Sequence, residues 1–251
     1  MEIKILQWNI WCKEKPENII RVLNEVDADI ICLQEVTEEN DALPGVNVLD
    51  RLLEAFPHAC KFFVAQNWKE NGKLTMNMGN AILSKFGFAG ENAFFIQDSG
   101  GDKPAFDDEG RVYGEVDILV GEHATLTVAT THMSYTDAFA GSPKRDEENR
   151  QLLKAITMKP RRNYVFCGDL NATPDSDFIQ SFEQKTGLIP ALFFADKTWT
   201  TKPFTYRGFK AEKLDWRLDY VFTSTDVDVI SAQVIETDAS DHLPILTTIK
   251  L

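Results

Sequence analysis

The chain has 251 residues, and its 26 Lys and Arg against 39 Asp and Glu leave a formal charge of −13. Duplex nucleic acid is held largely by cations that neutralise phosphates, so this chain is not expected to coat DNA with its general surface, and any phosphate partner must be met locally. Hydrophobic residues at 43% and charged residues at 26% are ordinary globular values that exclude disordered and fibrous classes.

The N-terminal MEIKILQW enters an alternating strand pattern directly, and Ile3 to Trp8 reads as the first strand. No basic segment with a following apolar run precedes it, and nowhere do about 18 apolar residues run together. A cytoplasmic protein without stable membrane association is expected. Pro16 near a helix start is followed by Ile19, Val22, Leu23 and Val26, the spacing of one buried helix face. A strand at Ile30 to Leu33 comes next, then a second helix near Val48 to Phe56. Strands are placed at Ala59 to Ala65, Asn80 to Ser84, Ala93 to Ile96, Val112 to Leu119 and Leu126 to Thr131.

A third helix is predicted over Pro143 to Ile156 and a fourth around Ser176 to Gln184. Between and after them come strands at Tyr164 to Cys167, Leu218 to Phe222, Asp228 to Val234 and Ile245 to Ile249. The pattern is that of an α/β protein rich in strands. Asp98 to Gly110 holds five acids, one Lys and four Gly or Pro, which suits a solvated loop. Cys12, Cys32, Cys60 and Cys167 form no CxxC pair, so no disulfide framework is expected.

Polar residues stand where apolar strands end, which is where a strand delivers a side chain to the rim of a sheet. In YVFCGDLNATP, Asp169 and Asn171 follow a buried strand at i and i+2 and in extended chain point the same way. A carboxylate and a carboxamide there can polarise a water and orient an anion; an Asx-turn is the alternative. Asp241 and His242 precede the last strand and offer a metal or base pair, or else an exposed loop. Glu35 ends an apolar strand as a candidate hard-cation ligand, against a capping or solvated role. His132 sits at a strand tip with the parity of Leu126 and Val128, Asn9 ends the first strand, and Asp219 begins a strand from which it can orient a histidine.

Taken in order, QWNI, LQEV, GNAILSK, THMS, GDLNATP, WRLDYVF and SDHLPI resemble the endonuclease/exonuclease/phosphatase superfamily, and they run from residue 7 to residue 245. The resemblance implies a four-layer α/β sandwich, two mostly antiparallel β-sheets packed face to face with helices outside. It implies one domain over residues 1–251, because the matched residues are spread over both halves. The activity implied is Mg²⁺- or Mn²⁺-dependent phosphodiester hydrolysis by activated water, on a nucleic-acid end, a lesion or a nucleotide-like diester. By the same resemblance Glu35 is the main metal carboxylate, with Asn9 and Asp241 close by. His242, held by Asp219, binds the scissile phosphate or acts as the base. Asp169 activates the water, Asn171 holds the water or a phosphate oxygen, and His132 donates to phosphate or leaving group.

WRLDY and the stretch Glu109-Gly110-Arg111-Val112 are similar to apurinic/apyrimidinic endonucleases, but Trp11 stands where those carry Asp and His132 where they carry Tyr. GNAILSK, with Asn80, is more similar to bacterial phosphodiesterases and phosphatases. A phosphomonoesterase or phospholipid-headgroup hydrolase is therefore the alternative activity, and a non-catalytic binding module the alternative class. Between Lys197 and Arg217, six basic residues face two acids and are interleaved with Trp199, Phe204, Tyr206, Phe209 and Trp216. That segment either tracks phosphates and stacks on bases, or fills core with solvated Lys heads. Asn80, Arg111 and Trp199 are the substrate-side candidates, and a monomer that meets its phosphodiester, or nucleic acid, at one local site is expected.

Overall fold

Period-two rows of apolar residues pair into two six-stranded sheets. The computed structural model describes residues 1–39, 44–121, 124–192 and 196–251. The chain opens with β1 (Glu2–Asn9), α1 (Pro16–Val26), β2 (Ile30–Thr37), α2 (Val48–Ala55), β3 (Ala59–Glu70) and β4 (Lys73–Ser84). It continues through β5 (Phe88–Gln97), β6 (Arg111–Leu119), β7 (Thr125–His132), a 3₁₀ turn at Asp137–Phe139, α3 (Pro143–Thr157), β8 (Tyr164–Asp169) and α4 (Asp177–Thr186). Then come β9 (Ile189–Pro190), β10 (Phe204–Tyr206), β11 (Phe209–Ala211), β12 (Asp219–Thr223), β13 (Asp228–Val234) and β14 (Ile245–Lys250).

The first sheet has the order β13-β14-β1-β2-β4-β3 and the second β5-β6-β7-β8-β12-β9, with β10 and β11 as a separate hairpin. Only β1 with β2 and β7 with β8 run parallel. Each parallel pair needs a crossover, and α1 and α3 supply it. The helix starts are chemically marked: Asn47, Ser142 and Ser176 accept from the backbone N–H groups of Asp50, Arg145 and Ile179, and Pro16 and Pro143 sit in first turns.

Three apolar clusters give four layers. Ile3, Ile5, Ile30, Cys32 and Ile82 of the first sheet meet Val116, Leu126, Val128, Val165 and Val221 of the second. Leu6, Trp8, Ile31 and Leu33 face outward onto Ile19 and Val22 of α1 and Leu52 of α2. Tyr164, Phe166, Tyr220 and Phe222 pack beneath Leu152 and Ile156 of α3 and Phe178 and Phe182 of α4. The expected sandwich architecture is the observed one.

The rows that face the opposite sheet change character along their length. Ile3 and Ile5 are followed by Gln7 and Asn9, Ile30 and Cys32 by Gln34, Leu126 and Val128 by Thr130 and His132, and Val165 and Cys167 by Asp169, all of them buried. Register brings the polar ends together: His132 lies opposite Asp169, Asp219 opposite Asp169, and Asn9 opposite Gln34. The amides of Gln7 and Gln34 bond to each other at 2.5 and 2.9 Å, while Gln34 reaches Thr130 at 2.9 Å and Gln7 reaches Asp219 at 3.3 Å. This network crosses between the sheets and satisfies amides that would otherwise be costly to bury.

Two hairpins depart from the sequence expectation. β3 and β4 run well past Ala65 and begin well before Asn80, closing on Asn71 and Gly72 with φ of 50° and 76°. The outer half of β4 alternates Leu74, Met76 and Met78 with Lys73, Thr75 and Asn77, and Asn-Gly is a strong two-residue hairpin turn. β10 and β11 close likewise on Arg207 and Gly208, with φ of 45° and 89°. Nor is the stretch Asp98 to Gly110 wholly solvated: Glu109 and Gly110 are buried and lead directly into β6.

Gly79 tests the packing of the extended hairpin. A methyl group there would overlap the Phe63 carbonyl oxygen, whereas one at Gly87 meets nothing within 4 Å. Gly79→Ala should lower unfolding free energy by about 1–3 kcal/mol in urea titration, and Gly87→Ala should leave it within about 0.5 kcal/mol.

Candidate active site

The polar ends of the two sheets floor a cavity of about 600 Å³ whose lining includes Glu35, Glu109, Arg111, His132, Asp169, Asn171, Trp199, Asp241 and His242. Asp169 is its centre. Its Oδ1 accepts the backbone N–H of Asn171 at 3.0 Å, and its Oδ2 accepts from Asn9 Nδ2 at 2.9 Å. The same Oδ2 lies 3.5 Å from His132 Nε2 and 3.6 Å from His242 Nε2. Asn171 does not continue the strand; its φ is 43°. The local turn and the site are therefore one arrangement, because the turn frees one carboxylate oxygen for the cavity.

His242 is 4% exposed and turns Nδ1 to Asp219 Oδ2 at 2.8 Å, which points Nε2 into the cavity. Burial opposes its protonation, but Asp219, Asp169 and Asp241 outweigh burial and hold the imidazolium well above the usual histidine range. Its backbone is anchored by Trp8 Nε1, which donates to the His242 carbonyl at 2.9 Å, and by Ser240 Oγ, which accepts from His242 N–H at 3.1 Å and donates to the Asn9 carbonyl at 2.7 Å. Burial pushes the Asp169 carboxyl up to about 7, against the opposing pull of His242.

His132 differs. Arg111 Nη1 lies 3.2 Å from its Nδ1, and a guanidinium only donates, so Nδ1 accepts and the ring proton belongs on Nε2. Burial, with Arg111, His242 and Arg145 adding to it, holds this imidazole well below the usual range and neutral. Arg111 is fixed by Glu109 at 2.6 Å, Ser134 Oγ at 3.4 Å and the Phe106 carbonyl at 3.3 Å. Behind it, Arg145 of α3 donates to the carbonyls of Ser134 and Leu170, tying the segment after β7 to the segment after β8. Glu109, Arg145 and the Gln7–Gln34 pair were not singled out by sequence; Glu109 lay next to Arg111, while the glutamines carried no chemical signature.

Glu35 is reached by a different route from its neighbours. It is not at a strand end but inside β2, in a register break between Leu33 and Val36 where its φ is 58°. The bulge turns its side chain to the cavity, where Oε1 accepts from Asn9 Nδ2 at 3.1 Å and Oε2 from the Cys12 backbone N–H at 3.0 Å. Asp241 accepts from Trp199 Nε1 at 3.2 Å. Burial, offset in part by His242, and the charge of Glu35 push the Asp241 carboxyl up. Two carboxylates that repel one another at a cavity wall, already supplied with neutral donors, fit a hard divalent cation. Among the described residues another group of liganding atoms, those of Asp169, Asp219 and His242, lies within 4.8 Å of one another. In that group His242 Nδ1 is already taken by Asp219 at 2.8 Å. Asn9 stands beside Glu35 and Asp241 as a donor bridging Glu35 and Asp169, its own oxygen accepting from Trp11 N–H at 3.0 Å.

One expectation is corrected. Asn80 does not reach the cavity: it is 1% exposed and donates to the Val112 carbonyl at 3.0 Å, linking β4 to β6 across the sandwich. Of the two readings of the basic segment, the packed one describes most of its rings and cations. Its rings pack on one another, with Trp199 5.2 Å from Phe204 and Phe209 5.8 Å from Trp216. Lys202 pairs with Glu14, Arg207 with Asp107 and Asp137, Lys213 with Asp215, and buried Arg217 donates to the Asp219 carbonyl at 2.5 Å.

The sequence profile of the Endonuclease/Exonuclease/phosphatase family matches residues 6–242. The chain belongs to that family. No curated protein matches the sequence. Among solved structures, the endonuclease/exonuclease/phosphatase of Beutenbergia cavernae is 21% identical with a TM-score of 0.73, over 100% of this chain and 72% of that one. The human Nocturnin catalytic domain, solved with bound sulfate, is 20% identical with a TM-score of 0.69, over 99% and 94%. The Bacteroides thetaiotaomicron mannosyl-6-phosphatase is 16% identical with a TM-score of 0.65, over 99% and 100%. These likenesses are likenesses of fold. Membership of the Endonuclease/Exonuclease/phosphatase family makes the chain a phosphoester hydrolase, of a family that is generally dependent on divalent metal. No helix among the described residues is long and apolar enough to cross a membrane.

The Asp219 carboxylate bonds its dyad partner His242 at 2.8 Å and Gln7 at 3.3 Å and does not line the cavity, so its removal reads chiefly the value of orienting His242. Asp219→Asn should lower kcat on an activated phosphoester by about 10²–10⁴-fold, with a far smaller change in KM, measured by steady-state kinetics.

Proposed function

We propose that this chain is a phosphodiesterase that uses Mg²⁺ or Mn²⁺ and attacks phosphorus with a water activated at Asp169. The observation that carries this reading is the position of Asp169 Oδ2, within 3.6 Å of two imidazole Nε2 atoms that differ in charge. His242, charged and braced by Asp219, sets a cation against a phosphoryl oxygen. His132, neutral, offers its Nε2–H to a second oxygen or to the leaving group. Asp169 lies between them and takes the proton of the attacking water. Its raised pKa of about 7 suits a base that operates near neutrality. Asn171, whose amide Nδ2 is 3.2 Å from His132 Nε2 and donates to the Met133 carbonyl at 2.9 Å, holds the edge of that arrangement.

Glu35 and Asp241, with Asn9 holding Glu35 in place, are the residues that would hold the cation. When bound, it polarises a phosphoryl oxygen and offsets the charge that grows in the transition state. Before any metal enters, the chain contributes a rigid acceptor, two oriented imidazoles and a site set apart from bulk water. The acidity of the protein is no obstacle to an anionic substrate, because the charge at the cavity is concentrated where the cation belongs. A compact diester fits this geometry better than a long polyanion, since Lys202, Arg207 and Lys213 of the basic segment beside the cavity are already paired with carboxylates.

Hydrolysis of bis-p-nitrophenyl phosphate should stop with EDTA and return with Mg²⁺ or Mn²⁺, and Glu35→Gln should cut metal-saturated kcat/KM by about 100-fold or more. EDTA-resistant turnover by the wild type would sink the cation assignment. Faster release of inorganic phosphate from p-nitrophenyl phosphate would make the protein a phosphomonoesterase.

A further inference from the structure

Beside its charged floor the cavity has a wall of another chemistry. Trp68 and Met76 come from the β3–β4 hairpin, Phe106 from the segment after β5, and Phe204 and Tyr206 from β10. The Phe106 and Tyr206 rings are 4.7 Å apart, yet Phe106 is 39% exposed, an apolar ring that the fold leaves open. The wall is fastened at several points. Lys69 N–H donates to the Asp102 carbonyl at 3.1 Å, Lys103 pairs with Glu70 at 2.7 Å, and Arg207 lies 3.6 Å from both Asp107 and Asp137. It continues to the chemistry, because Phe204 packs on Trp199, whose indole holds Asp241.

Two of the three Lys and Arg side chains of the lining are engaged by carboxylates. Arg111 is bonded to Glu109 and Ser134, and Lys202 pairs with Glu14 above the Trp11 ring at 4.6 Å, while Lys13 is exposed 5.9 Å from that ring. Away from Lys13, a second phosphate on the substrate would meet carboxylates and aromatic rings. The volume of about 600 Å³ accommodates a phosphate and one attached group of about nucleoside size.

We propose that the hydrolysed ester carries a single phosphate and, next to it, a neutral planar group seated against Trp68, Met76, Phe106 and Tyr206. Aromatic side chains and a polarisable Met make such a surface favourable for a flat ring and give nothing to a small alkyl or an anion. This subsite rests on the phosphodiesterase reading above. In the reaction the water oxygen bonds to phosphorus, the bond to the better leaving oxygen breaks, its water proton passes to Asp169, and the planar group stays on the product phosphate.

The test holds the leaving group constant as p-nitrophenolate and varies the other ester: methyl, phenyl, thymidine-5′-yl, and thymidine-5′-yl carrying a 3′-phosphate. We expect kcat/KM for the phenyl and thymidine esters to exceed the methyl ester by about tenfold or more, with the 3′-phosphate reversing the gain. A phenyl preference identifies an aryl group and a thymidine preference a nucleobase; both uphold the planar class. In the Trp68→Ala/Phe106→Ala double variant the ratio should fall close to one, whereas Phe95→Ala, an exposed ring on β5, should keep it. Equal rates for methyl and planar esters in the wild type, or a preference that survives in a folded double variant, overturn the subsite. If no ester is turned over with either metal, the phosphodiesterase reading fails separately. Calorimetric binding of phenylphosphonate against methylphosphonate then decides the subsite, equal affinities overturning it.

Discussion

Four ionisable side chains, Asp169, Asp219, His132 and His242, are withdrawn from water at the end of a hydrocarbon core, and most of the surrounding structure exists to keep them tolerable there. An isolated buried charge costs several kcal/mol even after relaxation, and a pair recovers that only with good geometry and further hydrogen bonds. Here Asp219 faces His242, Asp169 is ringed by Asn9 and the Asn171 N–H, and His132 stays neutral behind Arg111. The glutamine pair beneath joins the two sheets at the depth where the core stops being apolar.

The same constraint explains why the site is divided among so many elements. Each strand supplies one or two polar residues toward its tip, so the burden of desolvation is shared among strands, and the register of the sheet adds them together. His132, Asp169 and Asp219 are neighbours across three adjacent strands. Asn9, Glu35 and the 240–242 loop arrive from the other sheet. The cavity walls come from excursions beyond the sheets, the β3–β4 hairpin, the segment before β6 and the β10–β11 hairpin, and these determine what is admitted.

Much of this was legible in the residues. Apolar runs that end in Asp, His or Asn picked out His132 and Asp169, which line the cavity, and Asn9, which bonds Asp169 from behind, because alternation fixes which face a strand tip presents. Glu35 was read as the carboxylate that ends an apolar strand; the bulge that aims it depends on how β2 registers against β4, which a single strand cannot reveal. Asn80 misled because a carboxamide reads the same whether it meets a ligand or a carbonyl of the opposite sheet. The basic stretch stayed open between two readings because its ion-pair partners, Glu14, Asp107 and Asp137, are remote in sequence. The tip of the β3–β4 hairpin was missed because Gln66 to Glu70 holds a single apolar residue, Trp68, opposite the alternating Leu74, Met76 and Met78.

The first strand takes its partner from the far end of the sequence: β1 is flanked by β2 on one side and by β14 on the other, in register from Glu2 with Lys250 to Gln7 with Ile245. During synthesis an early strand thus waits with one edge bare until almost the whole chain has emerged, a non-local closure of the sort that slows folding. His242 lies just ahead of that closing strand and hangs from Trp8 and Asn9 of the first. Closure of the sheet and assembly of the dyad are therefore the same event, and a partly made chain has hydrocarbon to hide but no means to cut an ester.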